Sequence, residues 1–118
     1  MVYKHIVMWK FKEQHNGKSA LENARWMKEQ LEALVGVVPE LLSAEVGISP
    51  ALEQTAESVA AGAPAPVASG EYDACLVSTF ASPEALAAYK VHPKHKAISA
   101  YCKEARVKRL AFDWWSEE

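Results

Sequence analysis

The segment Tyr89-Lys90-Val91-His92-Pro93-Lys94-His95, read with His5 near the start of the chain, gathers three of the four histidines and a tyrosine. These residue types move protons near neutral pH: imidazole titrates in that range, and a phenol donates a hydrogen bond to a ring or to a developing oxyanion. Proton abstraction from carbon next to a carbonyl needs a neutral imidazole within hydrogen-bonding reach and a second donor for the ring or the enolate oxygen. His95 is the candidate base, Tyr89 the orienting donor and His5 a polar wall reaching in from a strand. Pro93 restarts a helix, so His95 falls in its first turn. There the positive end of the helix dipole disfavours imidazolium and keeps the ring available to accept a proton. A purely structural account of the same residues also exists. In it His92 caps the helix ahead of Pro93, His95 lies on the surface of the first turn, and Tyr89 plugs the end of the core with its hydroxyl in water.

Metal chemistry is not expected from these histidines. His92 and His95 have two residues between them, not the spacing that sets two histidines on one helical face in zinc hydrolases, and no carboxylate or cysteine in the segment completes a ligand set. No other cofactor is implied.

The elements that must position these side chains follow from periodicity. Val2 to Lys12 is rich in β-branched and aromatic residues, with Tyr3, His5, Val7, Trp9 and Phe11 on one face and Ile6 and Met8 on the other. From about Lys18 to Val35 the apolar positions Ala20, Ala24, Met27, Leu31 and Leu34 recur at helical steps, and Gly36 stands where a C-terminal cap belongs. Leu41 to Ser49 and Tyr72 to Phe80 read as strands, the latter with Tyr72, Leu76 and Phe80 turned to the helices and Cys75 and Val77 away from them. Between them, residues 50–70 read as a long, mobile connection with a short helical turn near Leu52 to Ala61. Ser82-Pro83-Glu84 starts a helix to Tyr89, Pro93 restarts it to about Arg106, and Val107 to Trp115 is the last strand.

The resulting order is βαββαβ, the split βαβ arrangement of a ferredoxin-like α+β fold: a four-stranded antiparallel sheet with both helical segments on one face. The opposite face carries Ile6, Met8, Cys75 and Val77. An apolar sheet face of that extent exceeds what monomers leave in water, so a second copy is expected to cover it across a two-fold axis. The adjacent Trp114 and Trp115 must face opposite sides of their strand. Trp9, Trp26, Trp114 and Trp115 with Phe11 and Phe112 make an aromatic interior. Core packing explains them, and a cavity among such rings also suits a flat apolar or aromatic ligand. Its expected wall is Trp9, Phe11, Ala74, Leu76 and His92.

The chain of 118 residues, half of them hydrophobic, is sized for one domain with one core. Its formal charge of −2 is spread over interspersed acids and bases, so neither nucleic acid nor an anionic membrane is an expected partner. Cys75 and Cys102 read as small buried hydrophobes rather than a disulfide, and Met1 leads directly into a strand with no signal-peptide pattern. A cytoplasmic location is the expectation.

With Lys4 to Lys12 at one end and Tyr89 to His95 at the other, together with Tyr72-Asp73-Ala74, Phe80-Ala81-Ser82 and Val107 to Trp114, the sequence resembles the stress-responsive A/B barrel family, often called Dabb. The resemblance spans nearly the whole chain apart from residues 50–70. It implies a ferredoxin-like protomer whose sheet pairs with that of a second copy in a dimeric α/β barrel. It also implies one of two roles: a stress-associated protein whose dimer is the functional unit, or chemistry like that of a plant polyketide cyclase of this fold, which closes a ring by aldol condensation. On that resemblance His95 and Tyr89 match the cyclase's catalytic pair and His5 its strand-one histidine, while a further pocket histidine is replaced here by Ala74.

Overall fold

Strict alternation shapes the first strand, β1 (Val2–Phe11), whose odd-numbered residues from His5 to Phe11 are buried while the even-numbered ones are half-exposed. The computed structural model describes residues 1–53 and 71–118. After β1, a two-residue hairpin joins β2 (Gln14–His15) to β3 (Lys18–Ser19). Its turn residues Asn16 and Gly17 both have positive φ, 57° and 73°, the conformation an Asn-Gly hairpin turn requires. Helix α1 (Ala20–Glu32) therefore starts later than the Lys18 expected from periodicity. Ser19 ends the hairpin and caps the helix at once, its hydroxyl accepting from Glu22 N while the Glu22 carboxylate accepts from Ser19 N. The helix also ends earlier than Val35, with Ala33 as the capping residue. Gly36, at φ 86°, makes the turn that follows rather than the cap itself.

The chain continues through β4 (Ser43–Ile48), a single turn α2 (Pro50–Glu53), β5 (Ala74–Phe80), α3 (Pro83–Val91), α4 (Pro93–Ala105) and β6 (Arg106–Ser116). The helical turn expected near Leu52 to Ala61 is met by α2 at its start; residues 54–70 lie outside the described residues. The four long strands form one antiparallel sheet in the order β4-β5-β1-β6. This is the ferredoxin-like α+β arrangement, an open sheet that does not close into a barrel within the chain.

All buried strand residues lie on one side. Register pairs His5 with Ser78, Val7 with Leu76 and Trp9 with Ala74, and on the far side Val46 with Leu76. Ala24, Met27 and Leu31 of α1, Leu86 and Tyr89 of α3, and Ile98, Cys102 and Ala105 of α4 pack onto that side to form the core. The other face is uncovered. Register places Ile6 opposite Phe112, Met8 opposite Leu110 and Lys4 opposite Trp114 there, with Cys75 and Val77 alongside. Phe112 is 65% exposed and Leu110 49%. Trp114 thus belongs to the open face, under the Lys4 ammonium, and Trp115 to the helix side, edge-on to Tyr3. Tyr72 differs from expectation: it precedes β5, so strand alternation does not govern it, and its ring sits 4.9 Å from the Lys108 ammonium and lines a hollow with Met8 and Cys75.

One buried carboxylate fixes the end of this sheet. The register of β1 against β6 slips between Lys10 and Phe11, as at a β-bulge, and the Phe11 N–H donates to Asp73 Oδ2 at 2.9 Å instead of to the ladder. Asp73 Oδ1 accepts from Lys10 Nζ at 3.1 Å, and the Asp73 backbone bonds Trp9 O and Ser49 N. This clamp sets the height of Trp9 in the sheet, and Trp9 floors the site. Among the described residues no helix is long and apolar enough to cross a membrane.

Candidate functional site

The break between α3 and α4 is a sequence device. Pro93 has no N–H to continue α3, so His92 takes an extended conformation, ends that helix and caps the next, its Nδ1 accepting from Lys94 N at 3.2 Å. The capping role anticipated for His92 is the one observed. The new helix carries His95 over the sheet, above a cavity of about 230 Å³ lined by His5, Val7, Trp9, Leu31, Leu76, Lys90, His95, Ile98, Ser99, Cys102, Arg106 and Arg109.

Two imidazoles share this cavity, and in both the proton's position is dictated by the partner. His5 Nδ1 lies 2.5 Å from Asp113 Oδ1, and the two residues are directly opposite in the β1–β6 ladder. His95 Nδ1 lies 3.1 Å from the Lys90 carbonyl. A carbonyl can only accept, and an ionised carboxylate likewise, so Nδ1 carries the proton in each ring and Nε2 keeps its lone pair. Burial pushes the His5 pKa below its ordinary 6.5 against the upward pull of Asp113, with Lys90 and Arg109 adding to the fall. His95 is likewise lowered by burial, against the Lys90 hydrogen bond, and further by His5, Arg109 and Lys90. Both rings are therefore neutral bases at neutral pH. Desolvation and nearby cations do for His95 what the helix dipole was expected to do.

Of the expected site residues, the structure brings His5, Trp9, Leu76 and His95 into one cavity. Phe11 is 2% exposed in the core and does not line it. Ala74 is buried beside Trp9 and borders the hollow on the opposite side of the sheet. His92 caps α4 and stays outside. Tyr89 is next to the site without opening onto it: its ring packs 4.3 Å from that of His95 and 5.1 Å from that of Phe80. Its hydroxyl is the one fully buried side-chain polar atom among the described residues with no hydrogen-bond partner, and burial raises its pKa. The Lys90 carbonyl, not this hydroxyl, orients His95. A partnerless buried hydroxyl carries a desolvation cost of roughly 1–3 kcal/mol. Tyr89→Phe should accordingly leave the melting temperature unchanged or raise it; a clear fall in thermal denaturation would show that the hydroxyl has a partner.

Sequence reasoning missed Asp113, Arg109 and Arg106. Asp113 is an acid within the otherwise apolar stretch Leu110 to Trp115, which is the available signal. Linking it to His5 requires the β1–β6 register, which alternation in one strand does not supply. Cys102 also lines the cavity, but burial raises its thiol pKa to about 11, so it is a thiol and not a nucleophile. Among the described residues no three His, Cys, Asp or Glu side chains are grouped to hold a metal ion.

Residues 3–116 match the family profile described as the stress responsive A/B barrel domain, Dabb. The chain belongs to that family. Among solved structures, this Dabb domain is similar to a dimeric protein of unknown function and ferredoxin-like fold from Bacteroides fragilis, at 23% identity and TM-score 0.73, covering 98% of this chain and 96% of that one. It is similar also to a dimeric ferredoxin-like protein of unknown function from Thermobifida fusca, at 21% identity and TM-score 0.71, over 98% and 92% of the two chains. A third is the hydroxynitrile lyase from Passiflora edulis, at 18% identity and TM-score 0.68, over 99% and 95%. No curated protein sequence matches the chain. At these identities the likenesses establish the fold that the Dabb domain shares with them.

Proposed function

We propose that this Dabb domain binds a small carbonyl compound with an apolar or aromatic body between its sheet and helices, and that His95, with His5 beside it, abstracts a proton from the carbon next to the carbonyl. The observation that carries this reading is the pair of imidazoles, each with Nδ1–H tied to an acceptor and Nε2 left basic, in one cavity walled by Val7, Trp9, Leu31, Leu76 and Ile98. At about 230 Å³ the cavity falls below the usual pocket range of roughly 300–1,000 Å³ for drug-sized ligands, which suits a single ring or short chain. In the step itself the Cα–H bond breaks, the proton passes to His95 Nε2, and the electron pair moves into the new C=C bond as the carbonyl π pair shifts to oxygen. The cations Arg109 and Lys90 at the wall offset the charge of that enolate. Its nucleophilic carbon then attacks a second carbonyl in an aldol-type ring closure, the resulting alkoxide taking back the proton from His95 Nε2, or is itself reprotonated from there.

The functional unit in this reading is a homodimer joined through the open sheet face, where Ile6, Met8, Leu110, Phe112 and Trp114 form an apolar surface. The dimeric solved relatives of the same fold support that assembly. The free thiols Cys75 and Cys102 fit a cytoplasmic setting.

The test is α-deuterium exchange into phenylacetone in D2O, followed by proton NMR. The reading predicts exchange faster than in buffer alone and dependent on His95. Exchange no faster than buffer would remove the enzymatic reading and leave the dimer itself as the function.

A further inference from the structure

We infer that the cavity selects an anion: its ligand is a small oxo acid whose carboxylate is held by Arg109, with Lys90 and Arg106 completing a cationic rim. This rests on the preceding proposal for where the ligand sits and specifies its chemical class.

Three of the twelve cavity-lining residues are cations, Lys90, Arg106 and Arg109, and none is an acid. Among the described residues none of the three forms an ion pair with a carboxylate. The three come from two places, Lys90 from the last turn of α3 and both arginines from β6, so their convergence is a product of the fold and not of a run of basic sequence. The one acid facing the group is Asp113. It is already bonded to His5 Nδ1. It stands four residues from Arg109 on the same face of β6 and offsets part of its charge, but burial and the neighbouring Arg106 outweigh it and hold the Arg109 pKa below its ordinary value. The residue between Asp113 and Arg109 on that face is Ala111, opposite Val7. The cations are felt by both histidines, whose pKa values burial lowers most and Arg109 and Lys90 lower further.

A guanidinium presents its donors in a planar fork that matches a carboxylate, so Arg109 is the residue suited to hold and orient an acid. The β1–β6 register sets Arg109 opposite Trp9 and Asp113 opposite His5. An acid anchored at Arg109 therefore holds its carboxylate at the Trp9 end of the floor and directs the carbon next to its carbonyl toward the imidazoles. A neutral ketone of the same shape has the apolar wall and the bases but no anchor.

Phenylpyruvate and phenylacetone test this, because they differ in a carboxylate for a methyl group at one end of the same benzyl ketone. Calorimetric titration at low salt should show phenylpyruvate binding at least tenfold tighter than phenylacetone, about 1.4 kcal/mol, with the advantage shrinking as salt is added. Arg109→Gln should abolish the advantage, whereas Lys103→Gln, on the exposed side of α4 and outside the cavity, should preserve it. Equal affinity for the two probes, an advantage that survives Arg109→Gln, or no binding of phenylpyruvate at millimolar concentration would each overturn the inference. Catalysed exchange of phenylacetone with equal binding would leave proton abstraction standing and remove only the anion. Arg109-dependent binding of phenylpyruvate without catalysed exchange would do the reverse.

Discussion

His95→Gln is expected to slow α-deuterium exchange into phenylacetone by about 10²–10⁴-fold, the range a positioned general base contributes, with little change in stability. Glutamine is close in length to histidine, and its amide N–H can still donate to the Lys90 carbonyl that His95 Nδ1 now engages at 3.1 Å. It has no basic lone pair. The side chain is half-exposed in the first turn of α4, so losing its contact with the Tyr89 ring is expected to cost no more than the ~1 kcal/mol typical of a point substitution. A large loss of rate without a loss of melting temperature thus separates a chemical role from a structural one. If the rate survives the substitution, His95 is a spectator and the base is elsewhere.

Phe112→Glu should take the dimer apart while leaving each subunit folded. Phe112 is 65% exposed in the isolated chain and paired with Ile6 in the middle of the open face. A two-fold interface uses the same patch on both partners, so each substitution is felt twice. Losing the burial of two phenylalanine side chains at about 1.5–3 kcal/mol each, before any cost of placing carboxylates against Met8 and Leu110, weakens association by at least about 10²–10⁴-fold. Sedimentation equilibrium of the 13.0 kDa chain at micromolar concentration reads this directly. The wild type should sediment at twice the chain mass and the variant at the chain mass; a monomeric wild type would refute the proposed assembly.

The scaffold was legible because each strand that matters alternates cleanly. Odd residues of β1 and even residues of β5 point to the helices, and that parity alone separates His5 and Trp9 from Ile6 and Met8. The double helix start at Pro83 and Pro93 was equally plain, since a proline at the first helical position leaves few alternatives. What escaped lies in register and in tight turns. The second strand of the Asn16-Gly17 hairpin, Lys18 and Ser19, was absorbed into the helical periodicity that follows it, because two-residue strands have too few positions to show alternation. Tyr72 was assigned to a strand face by counting back from Leu76, although the Asp73 clamp ends the strand first.

The site shows the same division. His5 and His95 could be read as partners because the resemblance names both, strand parity turns His5 to the helices and Pro93 sets His95 in a first helical turn. Asp113 and Arg109 could not, because their place above the floor depends on which β1 residue each one faces, a fact held by the β1–β6 ladder. Tyr89 was expected to donate to His95. Its ring does lie against the imidazole, but Phe80 and the core enclose the hydroxyl, and the Lys90 carbonyl at the α3 terminus occupies the hydrogen-bonding position. A carbonyl freed by a proline break is invisible in a list of side chains.

Nitrogen-15 NMR of the histidine side chains, followed through a pH titration, tests the central claim most directly. The account predicts that at pH 7 both His5 and His95 are neutral with the proton on Nδ1 and a free lone pair on Nε2, and that both titrate below the ordinary 6.5. The sign for stability follows. The unfolded chain takes up protons at these sites first as pH falls, so stability is full above about 6.5 and declines as acid is added. A proton on Nε2 of either ring, or an imidazolium at pH 7, would contradict the paired-base cavity on which the proposed chemistry depends.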